Sequence, residues 1–229
     1  AMSYKPRVVF LLPMKRNSER VPNKNFRIFS GKPLYRWMLD TIVNLEFISQ
    51  VVVNTDAADL IELPKDDVKY GRVLIRDRKP EICGDLVSMN KVIEDDLMAV
   101  DADIYLMSHT TNPLLSERLI QSAFLRFCDG MAEGFDSLFT VNKIQTRFYS
   151  ESGAPLNHNP EELLRTQDLE PMYEENSCLY VFTKKSFETS GARIGMKPIL
   201  HETDKVEAQD IDTEEDWLIA EAIAGRGGL

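Results

Sequence analysis

The apolar positions of this chain fall into two patterns. One is the short unbroken run: Val8 to Leu12, Gln50 to Thr55 (QVVVNT), Asp103 to Ser108 (DIYLMS), Asp136 to Val141 (DSLFTV) and Cys178 to Thr183 (CLYVFT). Runs without polar alternation describe strands covered on both faces, the state of a parallel sheet between helices. The other pattern is helical spacing. Pro33 opens a helix with Leu34, Trp37, Met38, Thr41, Ile42 and Leu45 on one face. Roughly Val87 to Val100 follows, with Val92, Ile93, Leu97 and Val100 inward. A third helix starts after a Ser116-Glu117 cap and runs to about Phe127, and a last one spans Thr213 to Ala224 around Trp217, Leu218, Ala220 and Ile223. Shorter elements are an edge strand at Val73–Ile75, a helix at Lys184–Thr189 and a strand at Lys197–His201, with Gly225–Leu229 as a frayed tail. Strand and helix alternate, so the expectation is one α/β domain over residues 2–229.

One segment breaks the alternation. Asn142 to Glu175 carries turn markers at Gly153, Pro155, Asn157, Asn159 and Pro160. Irregular segments of this length are functional, interaction arms or disordered. It also holds Ile144, Phe148, Tyr149, Leu156, Leu163, Leu164, Leu169, Met172 and Tyr173. A monomer would leave that apolar set in water. The expectation is a projecting arm that packs on a second copy in a two-fold homodimer.

The ends of the strands carry the candidate chemistry. After Pro13 the chain enters MKRNSERVPNKN, with the cations Lys15, Arg16, Arg20 and Lys24 and the turn-tolerant Asn17, Ser18, Asn23 and Asn25. A buried strand that leads through a basic loop to a helix is how an open α/β sheet meets a phosphate. An ordinary connection with solvated charges has the same composition. Asn54, Thr55 and Asp56 likewise sit either at a ligand crevice or as caps of the next turn. His109 to Leu114 (HTTNPL) is another polar turn at a strand end.

Composition narrows the ligand. The chain has 37 acidic against 27 basic residues, a net charge of −10. That disfavours a nucleic-acid binder and leaves room for a local basic pocket that takes a small anion. Hydrophobic residues form 43% of 229, enough for a large core. No apolar run approaches ~20 residues and no secretory pattern is visible, so neither a membrane span nor export is expected. Cys83, Cys128 and Cys178 are odd in number and far apart. They read as reduced thiols of a cytoplasmic protein. Ala1, ahead of Met2, reads as a remnant of tag removal.

G-x-G-x-x-G, G-x-x-x-x-G-K-[ST] and G-x-S-x-G are all absent. His109, His158 and His201 lack metal-ligand spacing, and His158 reads as a solvated arm residue. Asp210-Ile211-Asp212 is more informative. In an extended segment both carboxylates face one side while Ile211 turns to the core. Two hard oxygens suit Mg²⁺ completed by substrate phosphates; alternatively Asp212 caps the following helix above Glu215. A basic loop for phosphates together with an acidic pair for a metal is what nucleotide transfer needs.

Four segments carry a resemblance across nearly the whole chain. PMKRNSERVPNKN is similar to P-A-R-x-x-S-K-G-x-P-x-K-N, and RDRKPEICGD to R-P-x-x-L-x-x-D. RTQDLEPMYEENSCLYVF is similar to R-x-Q-D-L-P-x-x-Y-x-x-N-G-x-x-Y, and QDIDTEEDW to D-I-D-T-x-x-D. Together they resemble the acylneuraminate cytidylyltransferase family, the CMP-sugar synthetases of sialic-acid-like sugars, with the Kdo synthetases as cousins. The resemblance implies a Rossmann-like, mostly parallel sheet sandwiched by helices, with a dimerisation arm at 142–175. It implies transfer of CMP from CTP to an acidic sugar, with release of pyrophosphate and with Mg²⁺. Pro13, Met14, Ser18 and Asn25 would hold the nucleotide, with Arg78 and Ser88 near base and ribose. Lys15, Arg20 and Lys24 would spread the developing phosphate charge, and Asp210 and Asp212 would hold the metal. His109, Thr111, Asn112, Arg165, Gln167, Tyr173 and Asn176 would line the acceptor side, with Arg165 or another arm residue reaching in from the neighbouring chain.

The departures fall mostly on the acceptor side. The family's loop arginine is Lys15, its usual lysine is Glu19, and Arg20 follows as in the Kdo enzymes. Q-P-T-S-P-L-R becomes HTTNPLL, with His109 for glutamine and Leu115 for arginine, and the glycine after Asn176 is Ser177. Two alternatives stay open: the same reaction on another acidic or phosphorylated acceptor, and a non-catalytic nucleotide-binding relative.

Overall fold

The computed structural model describes residues 5–226. In chain order the strands are β1 (Val8–Leu11), β2 (Ile28–Phe29), β3 (Lys32–Pro33), β4 (Gln50–Thr55), β5 (Val73–Asp77), β6 (Ile104–Met107), β7 (Ser137–Ile144), β8 (Met172–Phe182) and β9 (Pro198–Glu202). The α-helices are α1 (Leu34–Val43), α2 (Met89–Ala99), α3 (Glu117–Ala132), α4 (Lys184–Ser190) and α5 (Glu214–Ala224). The main sheet has seven strands in the order β5-β4-β1-β6-β8-β7-β9, and β2 and β3 pair separately. In the main sheet β8 is antiparallel to both its neighbours and the other pairings are parallel, while β2 and β3 are antiparallel.

Alternate residues of the central strands feed two cores. Val8, Phe10, Val51, Val53, Ile104 and Leu106 pack with Met38, Ile42, Ile120 and Phe127 of α1 and α3. Val9, Leu11, Val52, Tyr105 and Met107 pack on the other face with Ile93, Leu97 and Phe187 of α2 and α4. The sheet is thus covered on both sides, which is why its strands carry no polar alternation. A third cluster joins Val21, Phe29, Leu34, Ile211, Trp217 and Ala220. It fastens the N-terminal loop to α5. Phe29 meets Trp37 and Trp217 edge-on, each at 5.4 Å between ring centroids.

After β1 the chain moves outward to β4 and β5, then returns to the other side of β1 as β6. That reversal makes a switch point between β1 and β6, where open α/β sheets hold ligands beyond the strand ends.

Several expectations need correction. The β2–β3 hairpin ahead of α1 was not anticipated; its strands are too short to show a period. α3 runs to Ala132, beyond Phe127, and in its added turn Gly130 packs under Ile199: a Cβ there would lie 2.4 Å from Ile199 Cδ1. β5 extends to Asp77, two residues beyond the expected end at Ile75. Residues 142–144 pair with 172–174, so the arm is a long excursion of the β7–β8 hairpin and narrower than 142–175. His158 is half-buried, with Nε2 3.0 Å from the Tyr149 hydroxyl, and is not a solvated residue. The predicted tail lies outside the described residues beyond Arg226.

Candidate active site

A cleft opens at the switch point. It is lined by Pro13, Met14, Lys15, Asn17, Ser18, Lys24, Asn25, Arg78, Met89, His109, Thr110 and Thr111, and it is open to solvent.

The basic loop is tied down from several directions. Asn25 is buried; its Nδ2 donates to Lys15 O at 2.8 Å, and its Oδ1 accepts from Thr110 Oγ1 at 2.5 Å. Asp56 Oδ1 accepts the Arg16 backbone N–H at 2.7 Å, while Thr55 Oγ1 accepts from Ala57 N–H at 3.0 Å. The two readings of that strand end are therefore divided: Thr55 caps its turn and Asp56 braces the loop. Lys15 Nζ meets Asp85 Oδ1 at 2.8 Å, and that hydrogen bond holds the Asp85 carboxyl below its usual range.

Lys24 links the loop to the acidic segment. Its Nζ donates to Ile211 O at 2.9 Å, and Ile211 N–H donates to Thr111 O at 2.9 Å. Ile211 is fully buried, so Asp210 and Asp212 flank an anchored residue. Burial lowers the Lys24 pKa, opposed by Asp212 and Asp210. Protein packed around the Asp210 carboxyl raises its pKa, although the residue itself reaches solvent; a Thr111 hydrogen bond opposes the rise and Asp212 adds to it. Asp212 is exposed and is not the helix cap. Thr213 Oγ1 accepts from Asp216 N–H, and the Asp216 carboxylate accepts the Thr213 and Asp212 N–H groups. Neither carboxylate of the pair caps α5, and Asp210 accepts one hydrogen bond from Thr111.

Arg78 is buried behind the cleft. Its Nε donates to Asn54 Oδ1 at 2.8 Å and its Nη2 to Asn54 O at 2.9 Å, and burial lowers its pKa. Asn54 in turn donates to Asp96 Oδ1 at 2.7 Å, beside Arg76. Arg78 therefore braces β4 while presenting one edge to the cleft. Ser88 is the N-cap of α2, accepting from Asn90 N–H at 3.2 Å, and the next residue, Met89, lines the cleft instead. Arg20 is exposed beyond the lining.

The acceptor-side residues divide. His109 and Thr111 line the cleft, and Asn112 is buried beneath it, with Nδ2 3.4 Å from Gln209 O. Desolvation, then Arg193 and Lys24, pushes the His109 pKa down to about 3, so its ring is neutral. Asn176 is held at the β7–β8 bulge by Thr140, Asn142, Thr203 and the Cys178 N–H. Ser177 beside it has φ 59°, the left-handed region that favours glycine. Arg165 and Gln167 on the arm and Tyr173 at the start of β8 lie exposed, outside this cleft lining. Sequence reasoning missed Thr110, Met89 and Arg193. Thr110 was legible inside HTTN, whereas Arg193 sits in a loop with no motif.

Fold and cleft together define a class: an open α/β domain with a cationic cleft at its switch point, tied through Lys24 to a segment that carries two exposed carboxylates. The cytidylyltransferase family model matches residues 9–217, and the chain belongs to that family. N-acylneuraminate cytidylyltransferase A of Danio rerio is 27% identical over 219 residues, 92% of this chain and 49% of the relative. A pseudaminic acid cytidylyltransferase of Campylobacter jejuni is 25% identical over 194 residues, 77% of this chain and 78% of the relative. The chain thus spans about half the length of several curated relatives it matches. The fold is shared with a CTP complex of CMP:2-keto-3-deoxy-manno-octonic acid synthetase, at TM-score 0.63 and 12% identity, covering 96% of this chain and 99% of the other. It is shared too with 4-diphosphocytidyl-2C-methyl-D-erythritol synthase of Anaerococcus prevotii, at TM-score 0.65 and 14% identity, covering 96% of each.

Proposed function

We propose that the protein moves CMP from CTP to an acidic, sialic-acid-like sugar and releases pyrophosphate. The observation that carries this reading is the bond from Lys24 to Ile211 O, which sets the basic loop against the acidic pair. The acceptor hydroxyl attacks the α-phosphorus, and the bond to the β-phosphate oxygen breaks. Lys15, Lys24 and, from the rim, Arg20 spread the charge that develops on the phosphates. In a partly desolvated cleft such charges act more strongly than in water. The loop backbone, held by Asn25 and Asp56, is organised before the ligand arrives.

Asp210 and Asp212 fit a hard divalent cation. The Asp210 pKa is raised by burial and by its neighbour, a strain that a cation relieves. Among the described residues no set of three or more His, Cys, Asp or Glu forms a metal cage, so substrate oxygens would complete the shell, as is usual for Mg²⁺. When bound, Mg²⁺ polarises the phosphate and lowers the pKa of an attacking hydroxyl.

The same reading makes the protein a cytoplasmic homodimer that binds neither nucleic acid nor membrane. No helix among the described residues is long and apolar enough to cross a membrane, and all three cysteines are free. The arm supplies the dimer contact, and Arg165, Gln167 and Tyr173 would approach the neighbour's acceptor from it. Pyrophosphate release with CTP or UTP, across sugar 2-keto acids and phosphorylated acceptors, tests the function. Release with phosphorylated acceptors alone changes the substrate class. CTP binding without any release means a non-catalytic relative.

A further inference from the structure

Arg193 lies between α4 and β9, far in sequence from every motif. Its guanidinium stacks on the Tyr180 ring, 3.9 Å from Cζ to the centroid. Its Nη1 is 3.3 Å from His109 Nε2 and 3.7 Å from Met107 Sδ. Both partners are neutral, since the His109 ring is held unprotonated. Among the described residues no carboxylate lies within ion-pair distance of Arg193. Nearby cations are already engaged: Lys15 with Asp85, Lys24 with Ile211 O, Arg78 with Asn54. A half-buried guanidinium has five donors suited to a planar anion, and here one is given to imidazole. The Tyr180 hydroxyl is directed to Glu175 and Ser177, which fixes the ring that supports it.

Resting on the function proposed above, we propose that Arg193 is the specificity-determining residue that binds the carboxylate of the acceptor sugar beside His109. Stacking on Tyr180 fixes the plane of the fork, and His109 fixes its rotation, so little freedom is lost when the carboxylate docks. Neither partner neutralises the charge.

The test compares a sugar acid with its carboxamide in wild type, Arg193→Gln and Arg193→Lys, each with CTP. The expected result is a rise of roughly 10- to 100-fold in acceptor KM for Arg193→Gln. The KM for CTP stays unchanged, Arg193→Lys recovers part of the loss, and the preference for acid over amide collapses in Arg193→Gln alone. An Arg193→Gln enzyme that keeps the preference overturns the assignment, while the functional reading survives. Should wild type turn over no sugar acid, the functional reading fails. Calorimetric titration of the sugar acid into CTP-loaded wild type and Arg193→Gln then decides Arg193 separately: weaker binding to the variant supports the clamp, and equal or absent binding overturns it. The CTP titration and melting temperature of the variant distinguish a misfolded protein from a lost contact.

Discussion

The loop after β1 and the arm between β7 and β8 are both irregular, yet their hydrogen bonds run in opposite directions. The loop bonds to distant elements: Lys24 to Ile211, Asn25 to Thr110, Arg16 to Asp56. Its Val21 is fully buried under α5. The arm bonds to itself: Gln145 to Gln167 and Leu169, Asn157 to Thr146 and Phe148. It leaves Leu163 91% and Leu156 64% exposed. The loop is shaped by the rest of its own chain, as a preorganised ligand site requires. The arm satisfies its backbone locally and buries Leu169, but leaves Tyr149, Leu156, Leu163 and Leu164 without a cover, as an interface element would.

The largest expected effect separates chemistry from capping. Asp212→Asn should cut turnover by roughly 10²-fold or more and abolish Mg²⁺-induced thermal stabilisation, with an unchanged apo melting temperature. Thr213→Ala, which removes the real cap, should cost about 1 kcal/mol of stability and leave turnover nearly intact. Reversed results would make Asp212 structural.

On the arm, Leu156→Glu with Leu163→Glu should halve the mass seen by light scattering. Chain stability should move by no more than ~0.5 kcal/mol, as for exposed positions. An unaltered dimer mass would place the interface elsewhere.

Asn25→Ala should cost about 1–3 kcal/mol in urea unfolding, because Thr110 and the Lys15 carbonyl lose their partner in a buried site. It should also weaken CTP binding. A neutral outcome would show that the loop is held by Val21 and Lys24 alone.

Asp210 gives a pH signature. Its folded pKa is raised, so folding disfavours the carboxylate; the penalty is full above the folded pKa and vanishes below the unfolded value of 3.8. Asp210→Asn should therefore melt higher than the parent at neutral pH, with the gap closing as pH falls towards 3.8. Saturating Mg²⁺ should narrow the gap at neutral pH. No pH dependence of the gap would remove the desolvation argument.

The smallest effect lies at the root of the arm. Ser177→Gly relieves a left-handed φ but loses a 3.1 Å bond from the Tyr180 hydroxyl. The net gain should be under ~1 kcal/mol, read as a slightly higher melting temperature; a loss would mean that the bond outweighs the strain.

The hydrophobic pattern alone determined the central strands, the helices between them and the fold class, because burial on two faces is written in the residues themselves. β4 emerged with its predicted ends, and β1 and β6 within a residue or so. The motif residues Lys15, Ser18, Lys24 and Asn25, which line the cleft, could be named without coordinates because their loop resembles the family's nucleotide loop. Other matters depended on contacts between residues far apart in sequence. Whether Asp212 caps α5 was decided by Thr213 and Asp216. That Arg78 braces β4 was decided by Asn54. That Arg193 reaches His109, 84 positions earlier, was decided by the strand order that sets β8 beside β6. Local pattern encodes which face of an element is apolar; only packing brings two polar side chains from different elements within hydrogen-bond distance.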